Sequence, residues 1–219
     1  MKNSKLRRVL LLVACIVLLV SLSVGATLAY LTFTTVKVVN TFTVGSVEID
    51  LDEVDVDEYG KVDDDTRVKA NTYKLLPGHV YPKDPTVHVK KGSEPAYIRI
   101  LVTISDLADL KAACGIAADA TFLPQNFVDG WNAKKWACVS MNEADNVCSL
   151  EFWYHSPVDA RNVAADIDLE PLFTHIKVPG TATNAQIAAL KEMKIEVIAH
   201  AMQADGFADA DAAWAAWGN

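Results

Sequence analysis

The residues best equipped for chemistry are five histidines, His79, His88, His155, His175 and His200, and the aspartates Asp52, Asp55, Asp57, Asp63, Asp64 and Asp65. Zinc hydrolysis needs ligands held close, usually two histidines one helical turn apart with a glutamate beside them. No two histidines here lie within four residues of each other, and no HExxH is present. His88 and His200 fall inside strand patterns and are expected to be satisfied sheet residues. The aspartates suit a harder ion. Calcium takes about six to eight oxygens from a flexible loop. The EF-hand order, with glycine at its sixth position, is absent. The segment Asp52–Asp65, with Gly60 inside it, is therefore expected to be a solvated acidic loop or hairpin tip. A weak calcium site there is the lesser alternative.

Nucleophilic catalysis fares no better. There is no GxSxG, and Cys114 lies on the apolar face of an expected helix. The ten glycines are scattered as turn residues and cradle no phosphate. Beyond the first thirty residues the cysteines are Cys114, Cys138 and Cys148, with no CxxC spacing. Either Cys138 pairs with Cys148 across a hairpin and leaves Cys114 free, or all three are small core residues. The aromatics Trp131, Trp136, Trp153, Tyr154, Trp214 and Trp217 can stack on sugars. Trp136, Trp153 and Tyr154 sit in strand patterns, however, where core packing is the commoner role. No enzyme is expected, and no cofactor beyond the calcium alternative.

The elements that would position these residues are mostly short strands. Phe42 and Val44, then Val47, Ile49 and Leu51, alternate with polar residues, which predicts a half-buried strand with an irregularity at Gly45-Ser46. Strands are also predicted at Pro85–Val89, Tyr97–Ile104, Trp136–Met141, Ser149–His155 and Ile195–Met202. Tyr97–Ile104 is apolar on both faces and so central. The stretch Asn142–Asn146 reads as a turn. Helices are predicted at Asp106–Cys114, capped by Asp106, at Asn184–Met193, capped by Thr183, and as a terminal turn at Asp211–Trp217. Strands with helices inserted, rather than alternating with them, predict a mainly β chain: an antiparallel β-sandwich decorated with short helices.

The N-terminus carries a different signal. Lys2, Lys5, Arg7 and Arg8 lead into an apolar run from Val9 to Val20, followed by small residues ending in Thr27-Leu28-Ala29. That is the layout of a secretory signal peptide spanning 1–29, cut between Ala29 and Tyr30. An uncleaved anchor is the alternative. The leader holds four of the 20 basic residues and none of the 28 acidic ones, so the remaining 190 residues carry a net charge of −12. Such a surface repels nucleic-acid phosphates and anionic lipid.

Several blocks resemble the TasA/camelysin (CalY) family of exported proteins. The first is Gly25-Ala26-Thr27-Leu28-Ala29-Tyr30, followed by Asn40-Thr41-Phe42-Thr43-Val44-Gly45-Ser46-Val47. The second is Leu76-Pro77-Gly78 with Lys83-Asp84-Pro85-Thr86-Val87 and Tyr97-Ile98-Arg99-Ile100. The last is Ile195-Glu196-Val197 with Gln203-Ala204-Asp205-Gly206-Phe207 and Ala213-Trp214. Residues Ala112–Thr183 match no part of the family pattern. The resemblance implies a secreted, extracellular jelly-roll domain over 40–219, at the cell surface or in a biofilm matrix. It implies processing at Thr27, Ala29 and Tyr30 by a signal peptidase of the SipW type. It also implies self-association into fibres through a donor strand at 30–39. The strand-forming residues of that segment, Leu31, Phe33, Val36 and Val38, are those expected to fill pockets in the next subunit. Matrix polysaccharide is a further expected partner; nucleic acid is not. A non-polymerising surface adhesin or glycan-binding module is the alternative. A metallopeptidase, the class to which camelysin-like proteins have been assigned, comes third.

Overall fold

The structure, a computed structural model, describes residues 2–31 and 45–217, with the backbone alone for 2, 3, 19–31, 64 and 65. The chain divides into two compact units, 1–43 and 44–219. In the first, α1 spans Lys2–Leu31. Its described side chains, 4–18, are exposed all round, Leu10, Leu11, Leu12 and Ile16 among them. Among the described residues no helix is long and apolar enough to cross a membrane. Thr27, Ala29, Tyr30 and Leu31 lie on the last turns of α1. Phe33, Val36 and Val38 of the expected donor segment lie outside the described residues.

The second unit is mainly β. Its elements run β1 (Ile49–Val56), β2 (Val62–Val68), β3 (Val80–Pro82), β4 (Thr86–Val89), β5 (Ala96–Ile104), α2 (Leu107–Ala113), β6 (Val128–Asp129), β7 (Trp136–Ala144), β8 (Val147–Tyr154), β9 (Ile167–Asp168), β10 (His175–Lys177), α3 (Asn184–Ala189), β11 (Ile195–Gln203) and α4 (Ala210–Ala215). They build antiparallel sheets in the orders β2-β1-β4-β9, β3-β10-β6 and β11-β5-β8-β7.

One core joins these sheets. Along β5 the side chains of Ala96, Ile98, Ile100, Val102 and Ile104 are buried, so this strand is central, as its sequence predicts. Val87 and Val89 of β4, Ile176 of β10 and Phe152 of β8 meet them. Trp136 fills the interior from β7 and satisfies its indole N–H on the carbonyl of Glu170 at 2.9 Å. A buried indole with its one donor paired adds area without a desolvation penalty.

Four local expectations are corrected. The first strand begins at Ile49, and residues 45–48 are not strand. The loop opposite ties this stretch instead: Glu48 N–H donates to Ser93 Oγ at 3.1 Å, and Glu94 N–H to Ser46 O at 2.9 Å.

The acidic segment Asp52–Asp65 is a β-hairpin rather than a loop, and its tip is only Asp57–Lys61. Asp57 Oδ1 accepts the N–H groups of Tyr59 and Lys61, both at 2.9 Å, and Gly60 adopts φ 85° there. The acidic residues tolerate a strand because Arg67 and Lys69 neutralise them across it.

Asp106 does not cap α2. Its backbone is left-handed, with φ 52°, and its carboxylate accepts the Ser105 hydroxyl at 3.0 Å. Asn146, in the turn between β7 and β8, caps instead. Its side-chain oxygen accepts Ala108 N–H at 2.8 Å and its carbonyl accepts Leu107 N–H at 3.0 Å.

The hairpin pairing of Cys138 with Cys148 is excluded by register. Cys138 stands opposite Phe152 and Cys148 opposite Glu143, so the two thiols are offset along the strands. All described cysteines are free. By contrast Thr183 caps α3 as expected, its hydroxyl accepting Gln186 N–H at 3.3 Å.

Candidate functional site

A cleft of about 330 Å³ lies in the second unit between β1 and the first half of β11. Leu51, Lys69, Asn71, Lys83, Ile195 and Val197 line it. Two strand edges that no described strand covers border it. On one side β1 pairs with β4 over Ile49–Asp52, whereas β2 covers its other side only from Glu53 onward. The free half is held by side chains. Lys69 donates to Leu51 O at 2.8 Å and pairs with the Asp50 carboxylate, while Leu51 N–H donates to Asp50 Oδ1 at 2.9 Å.

On the other side, among the described strands, β11 pairs with β5 alone. Ser105 N–H donates to Lys194 O and Ala204 N–H to Pro95 O, so the even-numbered residues of β11 face β5. Alternation then turns the main chain of Ile195, Val197, Ala199 and Ala201 to the open edge. The side chains of these four are half-buried against the core. The other edge of this sheet is built differently. β7 carries a bulge between Cys138 and Ser140 and is exposed along most of its length, a device that blunts pairing. β11 runs nine residues in unbroken register, with no proline and no bulge.

A polar network flanks the cleft. Arg67 pairs with Asp52 and, at 3.0 Å, with Asp84. The His88 ring bridges two carboxylates, Asp168 at 2.6 Å through Nδ1 and Asp52 at 2.8 Å through Nε2. Burial pushes this imidazole down, but the hydrogen bonds to Asp168 and Asp52 outweigh it, so His88 titrates above its ordinary value. Burial likewise pushes the Asp52 carboxyl up, and Arg67 and His88 together bring it below the usual carboxylate range.

Of the sequence-predicted candidates the structure brings His88 and Asp52 together, but it does not gather the histidines. His88 lies on β4, His175 on β10 and His200 on β11, while His79 and His155 lie in connections. Asp55 accepts the Thr66 hydroxyl at 3.1 Å, Asp57 holds its turn, and the side chains of Asp64 and Asp65 lie outside the described residues. Among the described residues no group of three or more His, Cys, Asp or Glu is placed to hold a metal ion.

The aromatics separate into two sets. Trp136 is buried and Trp131 packs edge-on to Phe152 at 4.5 Å, both against the core. Tyr154 meets Trp136 at 5.0 Å and donates to Glu170 at 2.7 Å.

The second set gathers around Arg99 of β5. Trp214 and Trp217 of the C-terminal segment lie 4.4 Å and 5.2 Å from its guanidinium carbon, and the His200 ring stacks on Trp217 at 4.7 Å. Glu151 accepts both Arg99 at 3.2 Å and the Trp153 indole at 2.7 Å. Of this set Trp217 alone is exposed. The sequence signal for the cluster was one arginine inside the apolar run YIRILVTI, together with two tryptophans three apart.

No protein-family profile, curated protein or solved structure matches the chain.

Proposed function

We infer that the protein is an exported structural subunit of extracellular biofilm-matrix fibres. In this reading it is a jelly-roll sandwich that polymerises by donor-strand addition once a SipW-type signal peptidase has removed residues 1–29. The observation that carries the reading is the edge of β11 that no described strand covers, bordering with the first half of β1 one half-apolar cleft. An open strand edge is a template for another strand: the main chain supplies affinity and alternate side chains fill pockets. Nine residues of β11 suit a ten-residue donor at 30–39, with Leu31, Phe33, Val36 and Val38 as its apolar contacts. A segment donated head to tail makes a contact that does not close on itself, and repetition gives filaments. Supporting the export half of the reading, the described side chains of α1 are basic at Lys5, Arg7 and Arg8 and then apolar from Val9 onward.

Negative-stain electron microscopy tests this directly. The chain starting at Tyr30 is incubated at neutral pH beside one starting at Asn40. Fibres from the longer chain only are expected. Folded monomers from both would overturn the reading.

A further inference from the structure

At one side of the cleft lie three side chains that strand addition does not use. Lys83 and Glu53 are each 6% exposed. Glu53 bridges two partners: Oε2 accepts from the Lys83 ammonium, and Oε1 accepts from Asn71 Nδ2 at 3.0 Å. Asn71 is held at both ends of its amide. Nδ2 also donates to Val54 O at 2.8 Å, and Oδ1 accepts Val56 N–H at 3.1 Å. Tyr73 closes the group from above. Its ring centroid lies 6.0 Å from Lys83 Nζ, and its hydroxyl donates to Pro82 O at 3.0 Å, tying the segment after Asn71 to the residue before Lys83.

We propose that Lys83 and Asn71 join in an intramolecular isopeptide bond, formed by the protein on itself with Glu53 as proton carrier. An amine, unlike an ammonium, is a nucleophile. Glu53 takes a proton from Lys83 through Oε2, leaving a neutral amine beside a neutral acid in a pocket that solvates separate charges poorly. The amine nitrogen attacks Asn71 Cγ and a C–N bond forms. Negative charge developing on Oδ1 is met by Val56 N–H, already in place. The Glu53 acid turns about its Cγ–Cδ bond and hands the Oε2 proton to Nδ2, the Cγ–Nδ2 bond breaks, and ammonia departs. The proton shed by the new amide nitrogen returns to Glu53 and leaves with the ammonia as ammonium. One ammonium and one primary amide become one secondary amide and one ammonium ion. No oxidant, metal or cofactor enters the balance.

A second buried lysine shows what is special here. Lys111 is also 6% exposed and pairs with Glu143. The other oxygen of Glu143, however, accepts the main-chain N–H of Phe122 at 2.6 Å. Among the described residues that carboxylate meets no side-chain amide with a leaving group, so the pair stays an ion pair.

Trypsin and mass spectrometry of the folded full chain read the result. Without the bond, Ala70–Lys74 and Leu75–Lys83 appear as separate peptides. With it, Lys83 is no longer a cleavage site, and Ala70–Lys74 appears joined to Leu75–Lys90. The joined species is lighter than the two peptides together by about 17 Da, one ammonia. The Glu53→Gln chain, checked for folding by circular dichroism, is expected to return the separate peptides. Three outcomes from the folded wild-type chain overturn the proposal. One is recovery of the separate peptides alone. Another is a loss of ammonia confined to Ala70–Lys74, which is a succinimide at Asn71. The third is a link from Lys83 to Glu53 with loss of water. The readout is independent of microscopy, so failure of fibre assembly and failure of the bond are told apart.

Discussion

Arg99 of β5 lies against the face of Trp214, its guanidinium carbon 4.4 Å from the ring centroid, so the last helix is fastened to the outer side of a central strand. Trp214 is 7% exposed, yet among the described residues its indole N–H has no hydrogen-bond partner. Replacing an unpartnered buried polar group by an apolar one of similar shape is close to neutral. Trp214→Phe is therefore expected to cost under about 1 kcal/mol, and Trp214→Ala about 3 kcal/mol or more. Arg99→Ala loses the stacking and leaves Glu151 with the Trp153 indole alone, a cost of about 1–2 kcal/mol. Urea unfolding monitored by circular dichroism orders the three. Equal losses from the phenylalanine and alanine variants would sink the account.

His88 sets a pH window. Burial opposes the charged ring, but the hydrogen bonds to Asp168 and Asp52 favour it more, so its titration in the folded chain lies above the ordinary value of 6.5. The stabilisation is fully present below the unfolded-state value and is lost as pH rises through the folded one. His88→Asn should thus lower the melting temperature more at pH 5.5 than at pH 8.5. A destabilisation that grows towards alkaline pH would contradict the charged bridge.

The free cysteines differ in reach. Cys148 is fully buried and its thiol is pushed up to about 11 by burial, whereas Cys138 is exposed on β7. In native protein at pH 8, iodoacetamide should modify Cys138 and spare Cys148, since only an accessible thiolate reacts. Unfolding in urea without reductant should release Cys148 to the reagent. Its continued resistance would point to a disulfide, against the register of β7 and β8.

Gly130 sits after β6 with φ 71°, and a Cβ built on it would lie 1.9 Å from Thr174 Oγ1. Two penalties coincide, the left-handed backbone and the clash with a neighbour whose own N–H is bonded to Asp129 O at 3.0 Å. Gly130→Ala is expected to lose at least about 2 kcal/mol. A melting temperature within a degree of wild type would show that the loop relaxes freely.

Much of the architecture was legible because one-face burial leaves a period in the sequence. Tyr97–Ile104 and Ile195–Met202 were found almost to the residue, and they became β5 and β11. The acidic hairpin was misread because propensity argues against aspartates in strands. Arg67 on the partner strand and Lys69 just after it make the strand tolerable, across a register that the sequence does not print. The same limit hid the cap of α2. Asp106 has the right residue type at the right place, but Asn146, forty positions away, won the position through tertiary contact.

For the candidate site, composition marked the histidines and aspartates as reactive, while the pair Lys83 and Asn71 carried no signal at all. A lysine, an asparagine and a glutamate become reactive only when one carboxylate touches both of the others out of water. That is a property of burial and approach, not of spacing. The open edge of β11 was equally silent, because an unpaired strand and a paired one share a single alternation.

Asn146 joins two folding events into one. The residue forms half of the tight turn between β7 and β8, with φ 62°, and also supplies both the first acceptors of α2. The helix cannot begin to fray at Leu107 and Ala108 without the hairpin releasing its tip. The amide protons of those two residues should therefore exchange with deuterium at the rate set by the hairpin rather than by a short helix of seven residues. A protease that nicks the tip would, by the same link, let the start of the helix come loose from the core that buries Leu107 and Leu110.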